Sequence, residues 1–298
     1  RFHHALGAMH LMKETLDNLR EKGVDINDQE YFASLLAILL HDIGHGPFSH
    51  ALENVLLPSL NHEVLSALII KELNRQYNGE LDLTIDIFNN NYKRKFFSQL
   101  VSSQLDIDRL DYLNRDSFFT GVSEGKIGAE RIIKLLNVHN DELVIEEKGI
   151  YSIENFLSSR RLMYWQVYFH KTTVSVEKML IQIVKRAREI EMSNGNISEE
   201  LSFFLKKSYT ADDIATRPEI LEAFTNLDDY DIIGAIKVWK NSDDFVLKQF
   251  SRMLLDRNLL KVKLSEEPVS KQDLKKIREK LKSSGIKKEH LKYFVLHG

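Results

Sequence analysis

The sequence predicts a mainly α-helical fold with a short β-hairpin and a small α+β lobe at its C-terminal end. Three observations lead there. Apolar residues recur three and four apart through most of the 298 residues, the spacing that lines one face of a helix. Four prolines and thirteen glycines are too few for collagen-like, low-complexity or linker-rich architecture. Two β-prone runs flank a Gly-containing turn in ELVIEEKGIYSI (142–153), and the last 38 residues mix strand-like and helix-like patterns.

Taken in order, residues 4–22, 28–42, 47–57 and 61–76 each carry a helical apolar stripe. Pro47 suits the first turn of the third, where a missing N–H has no intrahelical partner to lose. A second helical series is expected over 95–119, 126–137, 153–194, 199–207, 217–225, 229–239 and 243–256, with the hairpin between its second and third members. LLKVKL (259–264) reads as a strand, Ser270 and Asp273 cap a helix reaching Leu281, and LKYFVL (291–296) reads as another strand. The chain carries no internal repeat.

A hydrophobic content of 43% is enough for one large core, or a domain with an appendage. The net charge of −3 excludes an electrostatic nucleic-acid binder as a whole. Residues 261–298 nevertheless hold eleven Lys/Arg against five Asp/Glu. The absence of cysteine excludes disulfides, thiolate zinc ligands and a cysteine nucleophile. It is compatible with an intracellular location. No apolar run approaches the ~18–20 residues that a bilayer span requires. The chain opens at Arg1, already inside a helical pattern, so an N-terminal piece is expected to precede it.

The chemistry-bearing stretch is LLAILLHDIGHGPFSH (35–50), where a core-like run ends in His41-Asp42 and then breaks at Gly44 and Gly46. Neighbouring helix residues point about 100° apart, so the pair converges on one centre only if the helix ends there. The glycines supply that freedom. RFHHALG adds His4 on a helix able to pack beside it, and NHEVLS adds His62 and Glu63 near a helix start. LDIDRLDYLNRD places Asp108, Tyr112 and Asp116 at four-residue steps on one helix face, with Asp111 and Arg115 beside them. Two histidines and two aspartates make a nitrogen–oxygen donor set suited to Mn, Fe, Zn, Mg or Co, leaving positions for water and phosphate.

RFHHALG, HDIGHGPFSHALE, NHE and DIDRLDYLNRDSFFTG, in that order, resemble the HD-domain metal-dependent phosphohydrolase superfamily. More narrowly they resemble its dNTP triphosphohydrolase branch, which holds the bacterial dGTPase-like enzymes and the sterile-alpha-motif/HD-domain dNTPase. The likeness covers about residues 1–180. It implies an HD helical fold, an HD phosphohydrolase domain over 1–195, and a C-terminal region over 196–298 ending in the basic lobe.

The resemblance also implies roles. One divalent metal ion falls to His4, His41, Asp42 and Asp108. Catalytic positions fall on His45, His62 and Glu53, and substrate contacts on Arg1, His50, Arg109, Tyr112, Asp116, Arg160 and Tyr168. The implied reaction is attack of water on the α-phosphorus of a dNTP, releasing deoxynucleoside and inorganic triphosphate. His45 would protonate the departing 5′-oxygen, supported by His62 with Glu63 or by Glu53. Trp165, Gln166 and Phe169 depart from the better-known pattern, and the upstream segment that completes the base pocket and one regulatory site lies outside these residues.

The expected partners are therefore a nucleotide substrate, an allosteric nucleotide and further copies of the chain as a dimer or tetramer, in the cytoplasm and without a membrane. Two other readings stand beside this one: an HD phosphodiesterase or signalling-nucleotide hydrolase, and a non-catalytic HD protein that binds nucleotide or nucleic acid. The basic tail, from Lys275 to Lys288, is the feature that serves the last.

Overall fold

The computed structural model describes residues 1–58, 60–192, 197–265 and 267–296. These form two compact units, one of residues 1–45 with 61–168 and the other of 46–60 with 169–298. The division falls at Tyr168–Phe169, whereas the sequence suggests a boundary near 195, and the segment after the His-Asp pair belongs to the second unit.

In the first unit, α1 (Phe2–Glu21) packs on α2 (Asp28–Leu40). Met12, Leu16 and Leu19 of α1 are fully buried, and at ~1.5–3 kcal/mol apiece they contribute roughly 5–9 kcal/mol. A capping box starts α2: the Asn27 side chain accepts from the Glu30 N–H while Glu30 accepts from the Asn27 N–H. Helix α3 (Glu53–Leu56) belongs to the second unit. The first continues with α4 (His62–Gln76), capped by Asn61, then α5 (Asp82–Phe88) and α6 (Lys95–Val101). Next comes α7 (Ile107–Thr120), whose N-cap Asp106 accepts from Arg109 N at 2.8 Å. Its C-terminal cap is Gly121 at φ 72°, a conformation that glycine takes without penalty.

Helix α8 (Ala129–Leu135) leads into antiparallel strands β1 (Leu136–His139) and β2 (Glu142–Ile145). His139 pairs with Glu142 across a two-residue turn of Asn140 and Asp141, both at positive φ. Helix α9 (Ile150–Met163) then runs into a π-helical turn at Tyr164–Tyr168. Phe96, Phe97 and Phe156 are fully buried among these elements.

The second unit contains α10 (Lys171–Glu189), α11 (Glu199–Lys206), α12 (Ala211–Thr216), α13 (Pro218–Asn226), α14 (Asp229–Trp239) and α15 (Phe245–Leu255). Burial pushes the pKa of the Arg188 guanidinium down, and it donates to the carbonyls of Val55, Leu56 and Phe204 at 2.6, 3.0 and 2.9 Å. That contact ties α3 to α10 and α11. The chain ends with α16 (Lys271–Ser283) and α17 (Leu291–Phe294).

Several expectations need correction. The hairpin sits one strand earlier than predicted, because Glu147–Gly149 turns and Ile150 already begins α9. The 153–194 helix is divided by the π-turn and by His170, which caps α10 by accepting from the Thr172 N–H; residues 193–194 lie outside the described residues. Pro47 stands in a turn ahead of a 3-10 segment rather than in a helix. The predicted α+β lobe holds no strand among the described residues. Residues 259–264 form no ladder there, and the alternation of buried Leu291, Tyr293 and Val295 belongs to a helical turn closed by Val295 N to Leu291 O at 3.0 Å. The Ser270 cap is present, accepting from Asp273 N at 3.1 Å. No helix among the described residues is long and apolar enough to cross a membrane.

Candidate metal centre

Three helices of the first unit bring the sequence-predicted ligands together. Helix α2 ends at Leu40, so His41 is its C-terminal cap and Asp42 lies in the following turn. The two side chains thereby escape the helical divergence: His41 Nε2 is 3.3 Å from Asp42 Oδ1. His4 projects from the second residue pair of α1, and its Nε2 stands 3.1 Å from Asp108 Oδ1 and 3.7 Å from Asp42 Oδ2. Asp108 lies in the first turn of α7, where the helix dipole favours a carboxylate, and its Oδ1 is 3.4 Å from His41 Nε2.

The glycines act differently from the sequence expectation. Neither Gly44 nor Gly46 takes a positive φ; that conformation falls on Phe48 and Ser49. Gly44 is required by close approach. A Cβ there would lie 2.2 Å from Ser66 N and 2.3 Å from His62 O, both backbone atoms of α4. Ser66 Oγ completes the joint, accepting from Gly44 N at 2.9 Å and donating to His41 O at 2.8 Å.

The electrostatics are those of ionised carboxylates held among histidines and Arg1. Burial opposes ionisation of Asp42 and Asp108, yet their neighbours prevail: His45, His41 and Arg1 for Asp42, His4 and His41 for Asp108. Both carboxyls are held far below the usual range. Burial also disfavours charge on His4, but hydrogen bonds to Asp108 and Asp111 and the nearby carboxylates raise its pKa to about 9. The pKa of His41 is raised as well, against burial, by Asp108 and Asp42.

These residues fit a divalent cation. Ligands held about 2.1 Å from one ion lie roughly 3.0–3.4 Å apart, depending on octahedral or tetrahedral geometry. Four of the donor–donor distances above fall at 3.1–3.7 Å. His41 Nε2 is buried and makes no hydrogen bond, while its Nδ1 is occupied by Ile38 O at 2.6 Å. An imidazole with one nitrogen tied back and the other turned toward carboxylates is poised as a metal ligand.

Of the remaining expected residues, Arg1 and His45 reach Asp42 of this centre, and the others take partners of their own. His45 Nε2 is 3.4 Å from Asp42 Oδ1, and its ring stacks on His62 with centroids 4.0 Å apart. Burial pushes the pKa of His45 down. Arg1 pairs directly with Asp42. Arg109 is engaged by buried Asp106, although its Nε is buried without a hydrogen bond. Tyr168 donates to Asp116 Oδ2 at 2.7 Å, and its ring meets Tyr112 and Tyr164 edge to face. Burial, with Tyr164 nearby, raises the Tyr112 pKa to about 12. Arg160 reaches Gln104 at 3.4 Å and lies 6.0 Å over the Tyr164 ring. His50 and Glu53 belong to the second unit, where His50 Nδ1 is 3.2 Å from Glu53 Oε2.

Sequence reasoning left Ser66, Gln104 and Tyr164 without a role. Tyr164 and Tyr168 are four apart at the π-turn, which gave a signal; Ser66 and Gln104 gave none.

The HD domain family model matches residues 1–116 and the HD associated region model residues 127–204. A solved phosphohydrolase from Bacteroides thetaiotaomicron superposes with a TM-score of 0.93 at 49% identity, over 98% of this chain and 74% of that one. The chain belongs to the HD-domain phosphohydrolase superfamily. The uncharacterized protein YwfO of Bacillus subtilis is 34% identical over 87% of this chain and 59% of its own. A deoxynucleoside triphosphate triphosphohydrolase SAMHD1 homolog of Dictyostelium discoideum is 25% identical over 68% of this chain and 43% of its own. The chain thus spans about three fifths of the first relative's length and less than half of the second's.

Proposed function

We propose that the protein is a metal-dependent hydrolase that cleaves a dNTP to deoxynucleoside and inorganic triphosphate. The observation that carries this reading is the convergence of His4, His41, Asp42 and Asp108, with the stacked His45–His62 pair against Asp42. Bound there, a divalent cation supplies Lewis-acid polarisation of a phosphate oxygen and lowers the pKa of water.

The chain's own residues do the rest. Arg1, Arg109 and Arg160 offer guanidinium forks suited to phosphate oxygens. Arg1 reaches the centre already, through Asp42. His45 donates the proton to the departing 5′-oxygen. Burial favours its neutral ring, so the incoming polyphosphate must raise its pKa before it acts. The His62 ring, stacked parallel to it, fixes its plane. Tyr112 and Asp116 line the sugar: Asp116 accepts from the 3′-hydroxyl beside Tyr168, and Tyr112 excludes a 2′-hydroxyl. His50 and Glu53 are assigned as phosphate-lining and supporting residues on the sequence resemblance alone. An activator nucleotide, a homo-oligomer and a cytoplasmic location complete the reading.

The test is incubation of the protein with each dNTP and Mn²⁺ or Mg²⁺, with products separated by chromatography. Deoxynucleoside plus triphosphate is the expected result. Monophosphate plus pyrophosphate, or turnover of cyclic dinucleotides alone, refutes the assignment.

A further inference from the structure

The metal-binding reading leaves a buried carboxylate beside His4 unused. Asp111 is 7% exposed and lies on α7 one turn beyond Asp108. Its Oδ2 is 2.7 Å from His4 Nδ1, the ring nitrogen not turned toward Asp42 and Asp108. Arg115 grips the same carboxylate with two hydrogen bonds, Nε to Oδ2 and Nη2 to Oδ1, both at 2.8 Å. From α1, Gly7 clears the space: a Cβ there would lie 2.1 Å from Asp111 Oδ1 and 2.2 Å from Arg115 Nη2.

An Asp–Arg pair four residues apart on a helix is ordinary, and alone it would mean little. Such a pair needs neither a histidine from another helix nor a glycine opposite. Here both are present. The two imidazoles of the centre are also held alike, since His41 Nδ1 is tied to the Ile38 carbonyl and His4 Nδ1 to Asp111. One tether is main chain and the other is a side chain carrying charge.

We propose that Asp111, locked by Arg115 and admitted by Gly7, is the positioning residue that holds His4 with its proton on Nδ1 and Nε2 free to ligate the metal. The proposal rests on the metal-binding reading and deepens it. A carboxylate in this place fixes the tautomer and the ring plane and makes the ligating nitrogen a stronger donor. It touches neither metal nor substrate.

The experiment compares wild type with Asp111→Ala, Asp111→Asn and Gly7→Ala, using Mn²⁺ titration by calorimetry and histidine ¹⁵N NMR of the Zn²⁺-loaded protein. Asp111→Ala is expected to weaken Mn²⁺ binding by about 10- to 100-fold and to remove the protected Nδ1–H signal of His4. Asp111→Asn, whose amide oxygen still accepts, is expected to restore that signal and to recover part of the affinity. Gly7→Ala should weaken binding as Asp111→Ala does, because it displaces the same carboxylate.

Wild-type affinity and an unchanged Nδ1–H signal in folded Asp111→Ala would overturn the proposal. So would complete loss of Mn²⁺ in Asp111→Asn, which would make Asp111 a ligand. Should Asp111→Ala not fold, the asparagine variant decides by its tautomer signal. If wild type itself takes up no Mn²⁺, the metal-binding reading fails; if wild type binds and the variants bind equally, only the positioning role fails.

Discussion

Gly44→Ala tests how the loop after the His-Asp pair is built. The added methyl would lie 2.2 Å from Ser66 N, 2.3 Å from His62 O and 2.8 Å from Leu65 C. All three are backbone atoms, so no rotamer change relieves the overlap; α4 must move away from the turn. Overpacking of this kind costs about 1–3 kcal/mol, and rigid neighbours place it at the upper end. The shift also strains the Ser66 hydroxyl, which bridges Gly44 N and His41 O inside the protein at 2.9 and 2.8 Å. Leaving those groups unsatisfied adds about 1–3 kcal/mol. A loss of about 4 kcal/mol is expected in all, measurable as a lower urea midpoint of the metal-free protein with an unchanged slope. Mn²⁺ affinity should fall as well, since His41 and the His62 turn are what the methyl pushes apart. A variant with a wild-type midpoint and wild-type affinity would refute the close-approach argument.

Two further outcomes follow from other residues. Burial works against the Glu30 carboxylate, but Tyr92, the Asn27 N–H and Arg94 hold its pKa below the ordinary value, so the stability it contributes is present above about pH 4.5 and lost as pH falls through the lowered pKa. Glu30→Gln should cost on the order of 3 kcal/mol at pH 7, and urea melts should show that cost shrinking as pH falls below 4.5; a pH-independent difference would disprove the charge argument. Asp108→Ala removes a donor within 3.1 Å of His4 and 3.4 Å of His41, so it should abolish stoichiometric Mn²⁺ binding while circular dichroism stays helical, and retained binding would dissolve the four-ligand centre.

What the sequence reveals of this molecule divides by range. Helix ends are written locally: Ser270 caps as its spacing from Asp273 predicts, whereas the helix expected over 95–119 is divided by the Asp106 cap, and Asn27 with Glu30 closes a box over the same three-residue range. The convergence of His4, His41, Asp42 and Asp108, the proposed ligands, is legible because each sits in a short stretch with a distinctive neighbourhood. Apolar runs of six residues proved ambiguous. LKYFVL alternates as a strand does, yet with no partner ladder among the described residues its Leu291–Phe294 segment closes a helical turn instead.

What stayed hidden depends on contacts between distant segments. Gly44 looks like a residue of conformational freedom, and α4 makes it a residue of space instead, as the Asp111–Arg115 pair does Gly7. The same geometry explains why His4 and His41 lie on opposite sides of a legibility limit. His41 is steadied by a carbonyl three residues back, which any helix provides, whereas His4 depends on a carboxylate 107 positions away. A metal ligand read from a motif is therefore only half specified by it. The other half, which nitrogen carries the proton, is set at His4 by Asp111, and there a single side-chain change should alter affinity while leaving all four ligands in the chain.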